Sequence, residues 1–173
     1  AEKTVQDIWH QIESFANYAF SKGHSASYAV ESFQALYIHA YYPLEYLTAT
    51  LNNGGGFYSK EFYAHTARMK GGTIALPCVN NSDLKATLSG KTVHLGLAFI
   101  NGGFGNENVY RILKSRQTDG PFLSFRDFVN RMSEISLEQI IVLIRLGCFR
   151  CFEPNKKKLM WDAHFLLSKT PET

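Results

Sequence analysis

Three stretches of this 173-residue chain combine residue types that can do chemistry. The first is FSKGHSASYA, residues 20–29. Lys22 and His24 supply positive charge suited to a triphosphate, and Ser25 and nearby backbone N–H groups can donate hydrogen bonds to the same anion. Tyr28 lies one turn further on, where an aromatic ring can pack on a base or sugar. A plainer reading of these residues has Ser25 capping a helix, His24 solvated and Tyr28 in a core.

The second stretch is LAFINGGFGNENVYRIL, residues 97–113. A glycine-rich turn between two helices lets backbone N–H groups approach a phosphate closely, at the partly positive end of the second helix. Arg111, Lys114 and Arg116 follow in that helix and can neutralise neighbouring phosphates, which gives affinity without base specificity. The alternative is a plain helical hairpin without a ligand. The third stretch is Cys148-Phe-Arg-Cys151, whose spacing suits zinc or redox chemistry. Zinc needs two further ligands, and only Cys78 and six histidines remain, with no matching pair among them. No βαβ context supports redox chemistry, so the two cysteines read as structural thiols. His10, His39, His65, His94 and His164 lack a nucleophile or carboxylate at suggestive spacing and read as surface or satisfied core residues.

The elements that must position these groups are mainly helical. Residues 4–20 repeat apolar side chains at Val5, Ile8, Trp9, Ile12, Phe15, Ala16 and Ala19, which predicts a helix with one buried face, opened by a Thr4/Asp7 capping box. Tyr28, Ala29, Phe33, Leu36, Tyr37 and Ala40 repeat that period in a second helix, with Ser25 as its N-cap. Pro43 opens a third helix that NNGGG (52–56) stops, and residues 59–70 form a fourth, ended by Gly71 and Gly72. TIALPCV then reads as extended, and KATLSGKTVHLGL as two strands joined by a Ser89-Gly90 turn. Residues 97–100 form a short apolar segment and 106–116 a helix with Val109, Ile112 and Leu113 inward. DGPF (119–122) is a turn, Ser124 caps SFRDFVNRM, and Ser136 with Gln139 makes a capping box for a helix that ends at Gly147. The last helix, 156–167, should bury Leu159, Trp161, Phe165 and Leu166. The expected division is 1–75 as a helical subdomain, 76–96 as an extended or β-hairpin junction, and 97–173 as a second helical subdomain.

Composition sets the outer limits. A 45% apolar and 19% charged content is that of a globular protein. A net charge of +3 permits nucleic acid without demanding it. No apolar run reaches membrane-spanning length, and no signal-peptide block opens the chain. Three cysteines without a framework fit a reducing cytoplasm. The five aspartates are scattered, with no Asp-x-Asp pair. Together with the abrupt termini, this suggests a piece of something larger.

Over nearly its whole length the chain resembles the bacterial replicative DNA polymerase III alpha subunit, from the late fingers onward. Phe20, Lys22, His24, Ser25, Ala26, Tyr28 and Ala29 match the family's aromatic-Gly-Phe-Asn-Lys-Ser-His-Ser-Ala-Ala-Tyr-Ala run, and Pro43 and Glu45 match its Tyr-Pro-x-Glu-Phe helix. ALPCVNNS is similar to Leu-Pro-Pro-Asp-Ile-Asn-x-Ser at Pro77, Asn80 and Ser82. Residues 95–132 resemble the helix-hairpin-helix that follows the fingers, and ISLEQIIVLIRLGCF the family's helix with a Gly-Ala-Phe corner. Gly23 replaces a small Ser or Ala. The hairpin has one residue more than the family's Ile-Lys-Gly-x-Gly, and lacks its lysine. The resemblance implies a fragment of a DNA-directed DNA polymerase that carries distal fingers and a duplex-gripping hairpin. It places Lys22, His24, Ser25 and Tyr28 toward the incoming deoxynucleoside triphosphate, and Asn101, Gly103, Gly105, Asn106, Arg111 and Lys114 toward the backbone of primer-template DNA. It also implies that the Mg²⁺-binding palm lies upstream and outside this stretch, that the sliding clamp is reached through other regions, and that the parent works in the bacterial cytoplasm at the nucleoid. This chain alone is then expected to be inactive and to need no cofactor. A stand-alone, non-catalytic DNA-binding or scaffold module is the alternative.

Overall fold

The computed structural model describes residues 2–19, 22–54, 56–100 and 104–167. Among them are eight α-helices, a one-turn 3-10 helix and three short strands, so the protein is mainly α. The chain packs as two units, Ala1–Tyr46 and Leu47–Thr173, and the extended segment at 76–96 lies inside the second.

The first unit contains α1 (Glu2–Ala19), α2 (Lys22–Tyr41) and the start of α3 (Pro43–Asn52). Helices form where the 3.6-residue period predicts them, but the buried faces do not. Val5, Ile8, Trp9 and Ile12 of α1 are solvent-exposed, and no residue of α2 is buried; Phe33 is 72% exposed. Periodicity reports which side of a helix prefers to leave water, not whether a surface is there to receive it. Two capping expectations also fail. The first helix already includes Glu2, so Thr4 sits inside it. Helix α2 begins at Lys22, so Ser25 lies in its first turn and is not its N-cap. The neighbouring Ser27 hydroxyl donates back to the Gly23 carbonyl at 3.0 Å, a bond open to serine inside a helix.

The second unit starts with the rest of α3 and with α4 (Lys60–Met69), capped by Ser59, whose hydroxyl accepts from the Phe62 amide. Strands β1 (Thr73–Ala75), β2 (Thr87–Ser89) and β3 (Thr92–His94) form a sheet in the order β1-β3-β2. The β2–β3 hairpin is antiparallel and pairs Ser89 with Thr92. The turn is therefore Gly90-Lys91, one residue later than the expected Ser89-Gly90. Gly90, at φ +56°, takes the first central position, which needs positive φ. Strand β1 runs parallel to β3, a pairing that no local pattern announces.

Behind the sheet come the 3-10 turn Leu97–Phe99, α5 (Asn106–Asp119), α6 (Phe125–Arg131), α7 (Leu137–Leu146) and α8 (Lys156–Leu167). Ser124 caps α6, and Ser136 with Gln139 closes a reciprocal capping box on α7, which ends at left-handed Gly147. Phe122, Phe125, Phe128 and Phe149 build the centre of the core, with edge-to-face contacts at 4.8–4.9 Å. Ile112, Ile140, Leu143 and Leu159 pack around them. In α8, Leu159 is buried as expected, but Trp161 is 78% exposed and Phe165 also faces solvent. Ala163 takes the inward place instead, because the buried stripe of α8 is narrow and runs through Leu159 and Ala163. Among the described residues no helix is long and apolar enough to cross a membrane.

Candidate nucleic-acid interface

The hairpin is held by its own sequence. Phe104 is fully buried, and its carbonyl accepts from the Asn108 side chain at 2.6 Å, which pins the entry to α5. Gly105 then adopts φ +70° and ψ +144°, a conformation that L side chains rarely adopt, and stands as the N-cap of α5. Glycine brings no side chain to cap the helix, and none does. The first backbone N–H groups of α5 therefore lack an intrahelical or side-chain acceptor and carry the positive end of the helix dipole. Gly105 and Asn106 are exposed at this end. Asn101 and Gly103 lie outside the described residues, so their expected contacts cannot be placed in the fold.

The three basic residues of α5 have different surroundings. Arg111 pairs with Glu107 at 2.8 Å and also with Glu134. Arg116 is mostly covered: it donates to the carbonyls of Val79 and Ser82 and lies 3.9 Å from Asp83. Arg116 therefore ties the 79–83 segment to α5 and is not turned outward to a phosphate. Lys114 is exposed, and among the described residues no carboxylate pairs with it. At helical spacing, Glu107, Arg111 and Lys114 share one stripe, with Asn106 and Tyr110 on the stripe beside it.

At the same end of α5 a cleft of about 290 Å³ opens between parts of the second unit. Leu51, Leu84, Ala98 and Phe99 form its apolar lining, and Asn52, Lys60, Lys85, Asn106 and Tyr110 its polar rim. Asn52 donates to the Ala86 carbonyl and accepts from the Ala86 amide, both at 2.7 Å, which sets Lys85 at the cleft edge. The 83–85 segment is clipped to the 3-10 turn by bonds from the Leu97 amide to Asp83 (2.8 Å) and from the Ala98 amide to Leu84 (3.0 Å). This approach needs Gly96, because a Cβ there would meet the Leu84 and Lys85 backbone at 2.4 Å. Sequence reading missed Lys60, Lys85 and Tyr110, since only the folded chain brings them together.

The segment 76–83 is structural in detail. Asn80 exchanges two hydrogen bonds with Phe122, at 2.8 and 2.9 Å. The Ser82 hydroxyl accepts from the Cys78 amide and donates to Leu95. Arg150 donates to the carbonyls of Leu76, Pro77 and Gly147. Arg131 gathers the carbonyls of Ser115 and Gly120 at the C-terminal end of α5 and stacks on Phe122 at 4.2 Å.

In the first unit, Lys22, His24, Ser25 and Tyr28 all lie in the first two turns of α2. The rings of His24 and Tyr28 meet edge to face with centroids 4.3 Å apart. Lys22, His24 and Tyr28 are exposed and Ser25 half-buried, so Tyr28 is not a core residue. These groups stand on a helix surface rather than on a loop; Phe20 and Ser21 lie outside the described residues.

Burial pushes the Cys148 and Cys151 thiols from 9.0 up to about 12, and the neighbouring Cys78 adds to both shifts. Cys78 therefore does approach the Cys-x-x-Cys pair. Even so, among the described residues no group of three or more His, Cys, Asp or Glu side chains is arranged to hold a metal ion.

A helix start without a side-chain cap, reached through a glycine turn and followed by basic residues, defines a helix-hairpin-helix module. The helix-hairpin-helix motif family matches residues 71–159, just over half of the chain, and the chain belongs to that family. Its wider similarity is to bacterial DNA polymerases. It is 29% identical to the error-prone DNA polymerase of Mycolicibacterium paratuberculosis, over 99% of this chain and 16% of that protein. It is 30% identical to the DNA polymerase III subunit alpha of Streptococcus pyogenes, over 96% of this chain and 15% of that protein. The error-prone DNA polymerase of Mycobacterium tuberculosis is 29% identical over 99% of the chain. The chain thus spans about one-sixth of the length of the curated relatives it matches.

Proposed function

We propose that this chain is a DNA-gripping part of a bacterial replicative-type DNA polymerase and holds duplex DNA by its backbone through the second unit. The observation that carries this reading is the uncapped, exposed N-terminus of α5 inside a helix-hairpin-helix match, within end-to-end similarity to polymerases. Backbone N–H groups at Gly105 and Asn106 would bind one phosphate, Lys114 the next, and Arg111 a third once it leaves its carboxylates. Such contacts fix position on DNA and carry no sequence information.

The exposed Lys22, His24, Ser25 and Tyr28 on α2 would face the incoming deoxynucleoside triphosphate in the whole enzyme, where fixed positive charge stabilises a transferring phosphoryl group. Mg²⁺ supplies Lewis-acid and nucleophile-activating chemistry in such enzymes. The described residues assemble no site for it, so no step is assigned to this stretch; the metal and the sliding clamp would engage other parts of a longer chain. The setting is then the bacterial cytoplasm, at the nucleoid.

The test is fluorescence anisotropy of the chain with two duplexes of unrelated sequence, alongside primer extension with Mg²⁺ and deoxynucleotides. The proposal expects equal affinities for the two duplexes and no extension. Strong preference for one duplex, or extension by the pure chain, would overturn it.

A further inference from the structure

We infer that the cleft rimmed by Lys60, Lys85 and Tyr110 is a site for one nucleotide of single-stranded DNA, separate from the hairpin's grip on a duplex. The chemistry of its walls points to that occupant. Lys60 and Lys85 are exposed, and among the described residues neither is paired with a carboxylate. Two such ammonium groups on one rim suit a phosphodiester. The nearest acids are otherwise engaged: Glu61 folds back on Ser59 at the start of α4, and Glu107 pairs with Arg111.

The lining distinguishes single strand from duplex. A duplex offers a protein wall its phosphates and keeps its base faces stacked, so an apolar recess gains nothing from it. An unstacked base can enter such a recess and lie on an aromatic ring, with its phosphate left at the charged rim. Here Phe99 lines the recess, with the Lys60 ammonium 5.0 Å from its ring centroid, and Tyr110, 57% exposed, stands at the mouth. The frame is rigid where it matters. The two-way Asn52–Ala86 bond and the clip to Leu97 and Ala98 fix the Lys85 wall.

The test uses the full 173-residue chain and anisotropy of a labelled oligothymidylate, with a duplex of equal length as control. Lys60→Ala with Lys85→Ala is expected to weaken single-strand binding about tenfold and to flatten its log-affinity against log-salt slope by about 1.4, which is 0.7 per lost phosphate contact. Tyr110→Ala should also weaken it about tenfold, by loss of stacking, with the salt slope unchanged. Duplex affinity should change less than twofold in all of these, and circular dichroism should match the parent chain. Unaltered single-strand binding in the variants, or none by the parent chain, would overturn the inference. Loss of duplex binding in Lys114→Ala with single-strand binding intact would leave it standing, so its failure and that of the duplex reading are separable.

Discussion

Glu134→Gln should make the chain bind duplex DNA more tightly while making it slightly less stable. Arg111 is held between Glu107 and Glu134, with side-chain exposures of 38%, 79% and 70%. Water screens pairs this open, so losing one costs about 0.5 kcal/mol of folding stability. The gain for DNA has two parts. A carboxylate about 8 Å from a phosphate repels it by about 0.5 kcal/mol at bulk dielectric, and that repulsion disappears. Arg111, with one partner fewer, can also swing to a phosphate, and a surface contact of this kind contributes up to about 1 kcal/mol. The sum corresponds to an affinity gain of about three- to tenfold at low salt. One added phosphate contact also steepens the salt slope by about 0.9. Anisotropy titrations at several salt concentrations, with a thermal melt as control, measure all three quantities. Unchanged affinity with an unchanged slope would refute the reasoning, because Arg111 would then be structural and its face of α5 would not meet DNA.

Gly96→Ala should destabilise the second unit by about 3 kcal/mol, the upper end of overpacking costs, since its Cβ would sit 2.4 Å from backbone atoms; a denaturant melt reads the shift. Ser136→Ala removes the capping box of α7 and should cost about 1 kcal/mol in the same assay. The Cys148 and Cys151 thiols, pushed up to about 12 by burial, should alkylate slowly at neutral pH in the native chain and readily when it is unfolded. Because their folded pKa values are raised, their contribution to stability is full below pH 9 and is lost as pH rises toward 12. Denaturant midpoints on either side of pH 9 should show that decline.

Much of the fold could be read from local chemistry. Ser59, Ser124 and Ser136 each cap the helix they were expected to cap, because capping depends on a few adjacent residues. Ser25 misled for the same reason: a serine after glycine and histidine looks like a helix start, yet the helix reaches back to Lys22. Trp161 misled differently, since burial is decided by what packs opposite α8, which its own period cannot report. The parallel β1–β3 pairing and the Arg131, Arg150 and Arg116 anchors join residues far apart in sequence and left no local signal. The candidate site divides likewise. The glycine turn and Lys114 were recognisable as phosphate-seeking features, whereas the pairing of Arg111 with Glu134 and the Lys60–Lys85–Tyr110 rim exist only in the folded chain.

The central claim is that the start of α5 grips the DNA backbone. Amide chemical-shift mapping of the ¹⁵N-labelled chain during titration with duplex DNA tests it most directly. The account predicts the largest shifts at the Gly105, Asn106 and Glu107 amides and in the stripe through Arg111 and Lys114, fading as salt is raised. Saturable shifts centred elsewhere, for instance on α8, with the α5 amides unmoved, would contradict it.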